Sequence, residues 1–566
     1  MSTKNNKFQT SEVDVAMIAS VLTLPPVKME SSGDAAQAHA HNQQHLATDH
    51  LLPNLRQRTI SSGMITATSQ GAQFFLNLAY IMVLARLLAP QEFGLVAMVM
   101  VVMDFLRIFQ DMGLSTATVQ RQEITHAQVS NLFWVNVAVG GAMTLLLAAS
   151  APAIAWFYRE PHLVGITLAL SLTFLLASSA AQHIALLNRQ MRFRAIAAID
   201  IVSMFVGYVT GIGMALWQYG YWALVGANMV LVAVRLVVAW SMSRWRPQAP
   251  SRNTQTWHLL RFGANITAGT LMYTLARGAD NLLIGRFFGA TAVGLYSRGS
   301  ILMLRPVQQL IQPINAVLVP VLSRLQTEDD RYRRTFVQAF EVIALMTFVF
   351  TGLCLALSHP LTLAALGPKW EPAAVIVASF ALAALTYPLV TSFTWLFASQ
   401  GRGKDWVLTN AIVSSTTLCS FLVGLPFGPA GVAISYSISC VLLQLPFVYY
   451  IAGRRGPVSR KDLWMGTLRH LPLLGVVFGT AWLARTFFLD ANPWTQLLLC
   501  TPVALLAGAA YISIATPSRR VAMNLFSTMR DLKNSRTPTA ACTQDVRRRY
   551  QSSFTAAPAL ALQDQC

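Results

Sequence analysis

Fourteen apolar segments, each long enough to cross a bilayer, follow one another between about residues 60 and 516 of this 566-residue chain. A helix needs about 20 predominantly apolar residues to span the hydrocarbon core. The chain is 54% hydrophobic and only 11% charged, whereas a soluble domain is roughly 25% charged. Long apolar runs without strict alternation favour helices over a membrane barrel. The sequence therefore predicts an all-α polytopic membrane protein with about 14 transmembrane helices.

Short connections separate the predicted spans. We place the spans near residues 62–85, 93–116, 131–157, 163–187, 196–217, 221–243, 262–285, 293–322, 336–357, 373–399, 406–425, 430–452, 467–484 and 494–516. The net charge of +19 does not indicate nucleic-acid binding, because the basic residues occur singly or in small groups between apolar spans. We expect no nucleic-acid partner.

Lysine and arginine divide unequally between alternate connections. One set of connections contains only Arg86, Arg159, Arg286, Lys369 and Arg485, and the other set holds most of the remaining basic residues around the spans. Connections rich in Lys and Arg stay in the cytoplasm. The sequence therefore predicts that both termini are cytoplasmic.

A ten-residue pattern occurs twice in the chain. Arg86-Leu-Leu-Ala-Pro-Gln-Glu-Phe-Gly-Leu95 aligns with Arg286-Phe-Phe-Gly-Ala-Thr-Ala-Val-Gly-Leu295, and we call the spacing from Arg86 to Arg286 the repeat offset. Six predicted spans separate the copies, and an even number preserves orientation, as in parallel repeats related by an axis along the membrane normal. We predict two pseudo-symmetric six-helix lobes, residues 58–247 and 248–455, followed by a C-terminal helix pair within 456–518. Chance resemblance between apolar helices is the alternative.

The two ends of the chain are polar. We predict that residues 1–57 form a disordered cytoplasmic extension and that residues 519–566 form a disordered cytoplasmic tail. The six cysteines give no disulfide framework, and no Cys/His cluster has the spacing of a metal site. We expect no metal and no cofactor.

Several ionisable residues lie inside predicted spans. An arginine near the bilayer centre costs about 2.5–3.5 kcal/mol, so each one needs a cavity or a partner. Arg107 follows Asp104 by three residues, and Arg277 precedes Asp280 by three. This spacing places the members of each pair on one helix face. A local ion pair explains these two arginines as well as a binding role does.

Arg298 and Arg305 have no acidic residue in their own predicted span. They are seven residues apart and therefore share a face. We predict a water-filled central cavity, lined by spans 1, 2, 7 and 8, where Arg107, Arg277, Arg298 and Arg305 attract an anionic headgroup. The planar fork of arginine suits phosphate. Asn265 is a candidate for bonding sugar hydroxyls, or it joins neighbouring helices.

Asp104, Asp280 and Glu341 are candidates for proton or ion coupling. The sequence does not choose between them. The longest connection on the side poor in Lys and Arg, about 359–372, contains Gly367-Pro-Lys-Trp-Glu-Pro372, which we interpret as a structured turn. Because no connection is large enough to hold a catalytic constellation, we predict that the protein is not an enzyme.

Six motifs occur in a characteristic order and spacing along the chain. They are Phe109-Gln-Asp-Met-Gly-Leu-Ser-Thr-Ala-Thr-Val-Gln-Arg121, Asn131-Leu-Phe-Trp-Val-Asn136, Asp280-Asn-Leu-Leu-Ile-Gly-Arg-Phe-Phe-Gly289, Gly294-Leu-Tyr-Ser-Arg298, Pro320-Val-Leu-Ser-Arg-Leu325 and Gly367-Pro-Lys-Trp370. In these motifs the chain resembles the bacterial polysaccharide exporters of the colanic-acid type, in the polysaccharide transport branch of the multidrug/oligosaccharidyl-lipid/polysaccharide flippase superfamily. The resemblance extends from about residue 56 to 455 and more weakly to 516.

This resemblance implies a transporter in the bacterial inner membrane that flips an undecaprenyl-pyrophosphate-linked oligosaccharide to the periplasmic leaflet by alternating access. It implies that Arg107, Arg298 and Arg305 line the central cavity, with Arg277 a weaker match because Asp280 adjoins it. The expected partners are the lipid-linked oligosaccharide, membrane lipids and other polysaccharide assembly proteins. No P-loop motif is present, so we expect a proton or sodium gradient to give direction.

Two other functions stay open. The first is a multidrug or small-molecule extruder of the same superfamily, although such proteins favour acidic cavities. The second is a membrane glycan polymerase or ligase, which should carry a large external loop. In the lipid II flippase branch, spans 13 and 14 form a groove for the lipid tail, and only analogy extends that role to spans 13 and 14 here.

Overall fold

The computed structural model describes residues 55–111, 114–121, 124–251, 256–521 and 523. The backbone alone is described for 55–62, 64, 111, 117, 120, 256–277, 310, 312, 313 and 316. The predicted disordered ends of the chain lie almost entirely outside these residues. The described chain is built from helices and the connections between them. In chain order the helices are α1 (Leu55–Leu87), α2 (Pro90–Asp111), α3 (Leu114–Gln120), α4 (His126–Tyr158), α5 (Leu163–Arg189), α6 (Phe193–Leu216), α7 (Trp222–Ser243), α8 (Thr256–Arg324), α9 (Asp329–Ala356), α10 (Ser358–Leu366), α11 (Ala373–Thr391), α12 (Phe393–Ser399), α13 (Gly403–Gly424), α14 (Gly428–Ser439), α15 (Leu445–Ala452), α16 (Arg460–Leu468), α17 (Leu471–Thr486) and α18 (Pro493–Ile514).

Nine helical stretches in the described part of the chain are long and apolar enough to cross a membrane. Two of them combine neighbouring predicted spans, because Gly278–Gln309 joins parts of spans 7 and 8 and Gly403–Ala452 covers spans 11 and 12. Helix α17, which carries predicted span 13, has only 16 residues. The prediction of an all-α polytopic membrane protein is confirmed, and the number of 14 spans stays a prediction.

Helix α8 contains the corner between predicted spans 7 and 8. Gly289 interrupts its helical backbone with φ 78° and ψ −177°, a conformation that glycine adopts without steric cost. We call the part before it α8a (256–288) and the part after it α8b (290–324). The repeat offset relates Gly289 to Ala89, which lies in the break between α1 and α2. The corner therefore recurs at the same place in both copies of the repeat.

The two copies of the repeat contact each other where α2 crosses α8b. A Cβ atom added to Gly94 would lie 1.7 Å from the carbonyl oxygen of Ala290, and one added to Gly294 would lie 1.9 Å from that of Pro90. The repeat offset relates Gly94 to Gly294 and Pro90 to Ala290, so it converts one contact into the other. A two-fold axis relates the halves of an isologous interface in the same way. We call this end of the helix bundle the Gly94 end.

The ends of α5 and α12 also match, at a slightly longer spacing. Met191 and Gly401 both have positive φ, 54° and 66°. The following residues, Arg192 and Arg402, have backbone angles of −83°, 55° and −83°, 53°. The N–H of each arginine bonds the carbonyl five residues earlier at 2.9 Å. The same motif ends many helices, and α4 and α6 end in this way at Arg159 and Gln218. The match is therefore compatible with the internal repeat, and the two lobes stay a prediction.

Helix α10 and the 3₁₀ turn Pro368–Trp370 cover the end of α1. The indole Nε1 of the buried Trp370 donates a hydrogen bond to the carbonyl of Ala85 at 2.8 Å. Arg86 donates from Nη2 to the carbonyl of Ala364, also at 2.8 Å. The expected structured turn thus joins sequence-distant segments at the Gly94 end, and we call these contacts with Ala85 and Arg86 the Trp370 clasp.

The second copy of the repeated arginine lies in a different contact. The guanidinium carbon of Arg286 is 5.8 Å from the ring centre of Phe157, near the end of α4. Beside it, a Cβ atom added to Gly285 would lie 2.6 Å from the ring of Tyr158. The two arginines of the repeat therefore each reach the end of a helix from the other predicted lobe.

Buried side chains form the core on both sides of this crossing. One cluster includes Met98 of α2, Phe174 of α5 and Tyr296 of α8b. A second cluster centres on aromatic residues of α9, α12 and α15, among them Phe340 and Tyr449. These clusters hold the helices that line the cavity described below.

Replacing Gly94 with Ala should force α2 and α8b apart, because the new methyl group would overlap the Ala290 carbonyl. Overpacking of this kind costs roughly 1–3 kcal/mol, so the midpoint of thermal unfolding of the purified protein should fall. Gly213→Ala is the matched control, because a Cβ there meets nothing within 4 Å. Equal unfolding midpoints for the two variants would contradict the close crossing.

Candidate functional site

A cavity of about 920 Å³ lies between α1, α2, α6, α7 and both parts of α8, and α9 and α10 complete its wall. Its volume is within the range of small-molecule sites. We call it cavity A. It is lined by aliphatic side chains and by a set of polar ones. The polar residues among its described lining are Gln70, Gln73, Asn77, Tyr80, Asp104, Arg107, Tyr208, Asn228, Asn281, Ser297, Arg298, Arg305 and Gln309.

Arg298 lies on α8b beside the first turn of α2. Its guanidinium carbon is 4.6 Å from the ring centre of Phe93, a geometry in which the ring face attracts the cation. Its Nε is buried and has no hydrogen-bond partner. Within the described chain Arg298 forms no ion pair. The side chain is thus held in place by a ring that leaves its charge unneutralised.

Arg305 lies two helical turns further along α8b, a rise of about 10 Å. Its side chain is exposed, it lines cavity A, and it makes no ion pair with a described residue. The structure therefore brings Arg298 and Arg305 to one cavity from one helix face. Unneutralised guanidinium groups within a membrane span need water or an anion to replace bulk hydration.

Arg107 differs from these two, because it has an acidic partner. Its Nη1 lies 2.9 Å from Oδ1 of Asp104, and the two side chains are 46% and 59% exposed. The local ion pair that the sequence left open is therefore present. An ion pair this accessible is weak, so Arg107 can exchange Asp104 for another anion. The described lining of cavity A carries three guanidinium groups and one carboxylate, a net positive charge.

A polar stripe on α1 was missed by the sequence analysis. Gln70, Gln73, Asn77 and Tyr80 all line cavity A. Asn77 donates from Nδ2 to the hydroxyl of Tyr208 at 2.7 Å, and the rings of Tyr80 and Tyr208 stack with centres 3.9 Å apart. The spacing of three, four and three residues is that of one helix face, so the sequence did carry the signal.

Arg277 and Asn265 both lie on α8a. Their side chains are outside the described residues, so their predicted place in the cavity stays a prediction.

The three candidates for ion coupling do not lie together. Asp104 lines cavity A. Asp280 accepts the N–H of the next residue at 2.7 Å and is not among the described lining residues of cavity A. Glu341 lies on α9 with an oxygen 3.8 Å from Arg469. Among the described lining residues of cavity A, Asp104 is the single member of the three.

The arrangement suits binding of a polyvalent oxyanion that also carries hydroxyl groups. The α8b arginines supply charge, and the amides of α1 and α7 supply hydrogen-bond donors and acceptors. The adjoining tyrosine rings add a flat aromatic surface.

Comparison with known proteins finds one matching family model and several relatives. A family model described as "Polysaccharide biosynthesis protein" matches residues 83–375, more than half of the chain. The teichuronic acid biosynthesis protein TuaB of Bacillus subtilis is 27% identical over 53% of this chain, a match that covers 62% of TuaB. The lipopolysaccharide biosynthesis protein WzxC of Escherichia coli is 23% identical over 75% of this chain and 88% of its own length.

Among solved structures, the lipid II flippase MurJ in an inward closed conformation is similar, with a TM-score of 0.64. The match covers 80% of this chain and 98% of MurJ at 14% identity. At that identity the likeness shows the fold alone.

The purified protein should bind inorganic pyrophosphate, and Arg298→Gln or Arg305→Gln should each weaken binding by about tenfold or more. The reason is that a hydrogen bond to a charged group is worth about 1.5–3 kcal/mol. Isothermal titration calorimetry at low salt measures this. Arg194→Gln, which removes an exposed arginine outside cavity A, is the control, and equal affinities for all three variants would refute the assignment.

Proposed function

We propose, because the chain belongs to the polysaccharide biosynthesis protein family, that it carries a lipid-linked oligosaccharide across the bacterial inner membrane. The substrate is a polyprenyl-pyrophosphate-linked repeat unit of an exopolysaccharide or O-antigen type. The protein acts as a flippase and not as an enzyme.

One observation carries this proposal: Arg298 and Arg305 lie on one face of α8b in cavity A without an acidic partner among the described residues. A pyrophosphate has two phosphate groups to engage two guanidinium forks. The amide stripe on α1 supplies partners for sugar hydroxyls. Together they replace the water that the headgroup loses when it enters the membrane.

Alternating access supplies the movement. The Gly94 end, closed by the crossing of α2 and α8b and by the Trp370 clasp, is the periplasmic end. Opening this end and closing the other releases the headgroup on the far side, while the lipid tail stays in the hydrocarbon. Both termini are cytoplasmic in this orientation, in agreement with the distribution of Lys and Arg.

The source of energy is a proton or sodium gradient. Asp104 is the coupling group that the geometry favours, because it lines cavity A and pairs with Arg107. Its protonation or its binding of a cation would release Arg107 to the substrate. Membrane lipids surround the protein, and other polysaccharide assembly proteins supply and receive the repeat unit.

The two alternatives are less well supported. A net positive cavity repels the organic cations that a multidrug extruder removes. A polymerase or ligase needs a catalytic loop, and the described connection near Trp370 is instead a packed clasp.

Arg298→Ala and Arg305→Ala should each abolish export in a strain that lacks its own flippase for the same glycan. Without one of the two guanidinium groups, the pyrophosphate loses charge-assisted hydrogen bonds that water does not replace inside the membrane. Surface polysaccharide and accumulated lipid-linked repeat units measure the effect, with protein level checked by immunoblot. Arg194→Ala should behave as wild type. Normal export by both cavity variants would overturn the proposed site.

Arg298→Lys should restore export only in part. Lysine keeps the charge but has no planar fork and is more strongly hydrated. The rate of export in the same strain, compared with Arg298→Ala, separates the two contributions. Full activity would show that charge alone is sufficient.

The orientation can be tested on intact cells with a cysteine-free variant. Arg159→Cys should react with a membrane-impermeant maleimide, because this exposed residue lies at the proposed periplasmic end. Lys461→Cys, at a residue that is also exposed, should react only after permeabilisation. The reverse pattern would invert the proposed topology.

A further inference from the structure

A second large opening adjoins cavity A on the other side of α2 and α8b. Its volume is about 1020 Å³. It lies between α2, α8a, α8b and α13, and we call it groove B. Its lining is mainly aliphatic and aromatic, with Phe105, Leu282, Leu283, Leu304, Leu418 and Leu422 among the described residues.

Groove B and cavity A meet at a shared wall. Val101, Asp104, Asn281, Ile301 and Arg305 line both openings. The exposed side chain of Arg305 therefore lies at the junction between a polar space and an apolar one. A molecule held there by its charged end has an apolar path leading away from it.

The outer end of groove B reaches the surface of the helix bundle. Leu418 and Leu422 on α13 are 39% and 59% exposed. Helix α13 belongs to one of the stretches long and apolar enough to cross a membrane. Groove B therefore opens sideways toward the lipid.

The internal repeat explains why two openings exist. Tyr208 in cavity A and Leu418 in groove B are related by the spacing that relates Met191 to Gly401 at the ends of α5 and α12. The repeat offset relates Val101 to Ile301, and both of these residues line both spaces. Groove B is thus the repeat-related counterpart of cavity A.

The two counterparts differ in chemistry. Tyr208 of cavity A corresponds to Leu418 in groove B. In the same way, the repeat offset relates Asp104 to Leu304 and Phe105 to Arg305. At these three pairs of positions the polar member lines cavity A and the apolar member lines groove B, while Asp104 and Arg305 also belong to the shared wall.

We infer that groove B holds the proximal isoprenoid units of the substrate's polyprenyl tail while its pyrophosphate engages Arg305 and Arg298. This inference rests on the proposed function. A headgroup inside the bundle must remain attached to a tail that cannot enter a charged, hydrated cavity. Groove B gives that tail a continuous apolar exit next to the phosphate site, through a wall formed by α13 and not by α17 and α18.

The test compares the binding of two probes to the full chain in detergent. The first probe is undecaprenyl pyrophosphate, measured by native mass spectrometry in the presence of equimolar phosphatidylglycerol. The second probe is inorganic pyrophosphate, measured by calorimetry. Leu418→Trp should fill groove B and lower the binding of undecaprenyl pyrophosphate at least tenfold, while inorganic pyrophosphate binds within twofold of wild type.

Two further variants serve as a control and as an alternative substitution. Leu408→Trp adds the same ring at an exposed position of α13 outside groove B and should bind both probes as wild type does. Leu422→Phe is a milder block for the case in which Leu418→Trp does not fold, and it should reduce the binding of the lipid probe alone.

The outcomes separate the two proposals. Unchanged binding of undecaprenyl pyrophosphate in the groove variants, with intact pyrophosphate binding, would refute groove B and leave the proposed function standing. Preferential retention of phosphatidylglycerol by the wild type, lost in Leu418→Trp, would make groove B an ordinary phospholipid site. Failure of the wild type to bind inorganic pyrophosphate would overturn the headgroup site and the groove with it.

Discussion

The cost of an unneutralised positive charge inside a bilayer governs this structure. Arg298 and Arg305 have no acidic partner in the described chain, and Arg298 is held against the ring of Phe93. Such groups are tolerated where water or an anion reaches them. The helices around them must therefore leave a space, and cavity A is that space. The polar stripe of α1 and the Asp104–Arg107 pair line the same cavity.

The close crossing of α2 and α8b fixes where that space begins. Gly94 and Gly294 allow the two backbones to approach at one end of the bundle, so the helices that carry Arg107 and Arg298 start from a common point. Small residues are the usual means of such an approach between membrane helices. Any residue with a side chain at these positions would separate the helices and change the distance between the charges.

Much of this arrangement could be predicted from the sequence. Hydropathy predicted the helical class. The repeated Arg86 and Arg286 patterns marked two related segments, but their contact near Gly94 and Gly294 is known from the structure alone. Charge inside apolar spans identified Arg298 and Arg305. The spacing of Asp104 and Arg107 did not decide whether they form an ion pair. Two residues on the same helix face are close enough to pair, but each can also point to another partner.

Other parts of the site depend on tertiary structure. The stacking of Tyr80 on Tyr208 joins α1 to α6, and no local pattern encodes that pairing. Glu341 was a reasonable candidate by charge alone, yet it lies beside Arg469 and away from the described lining of cavity A.

The unlike contacts of the repeated arginines have a mechanical consequence. Arg86 is fixed by a directional hydrogen bond to a carbonyl, whereas Arg286 rests on the face of an aromatic ring. A directional hydrogen bond is lost over a shorter displacement than the attraction of a cation to a ring face. Under the proposed alternating access, the contact of Arg86 would therefore break before the contact of Arg286.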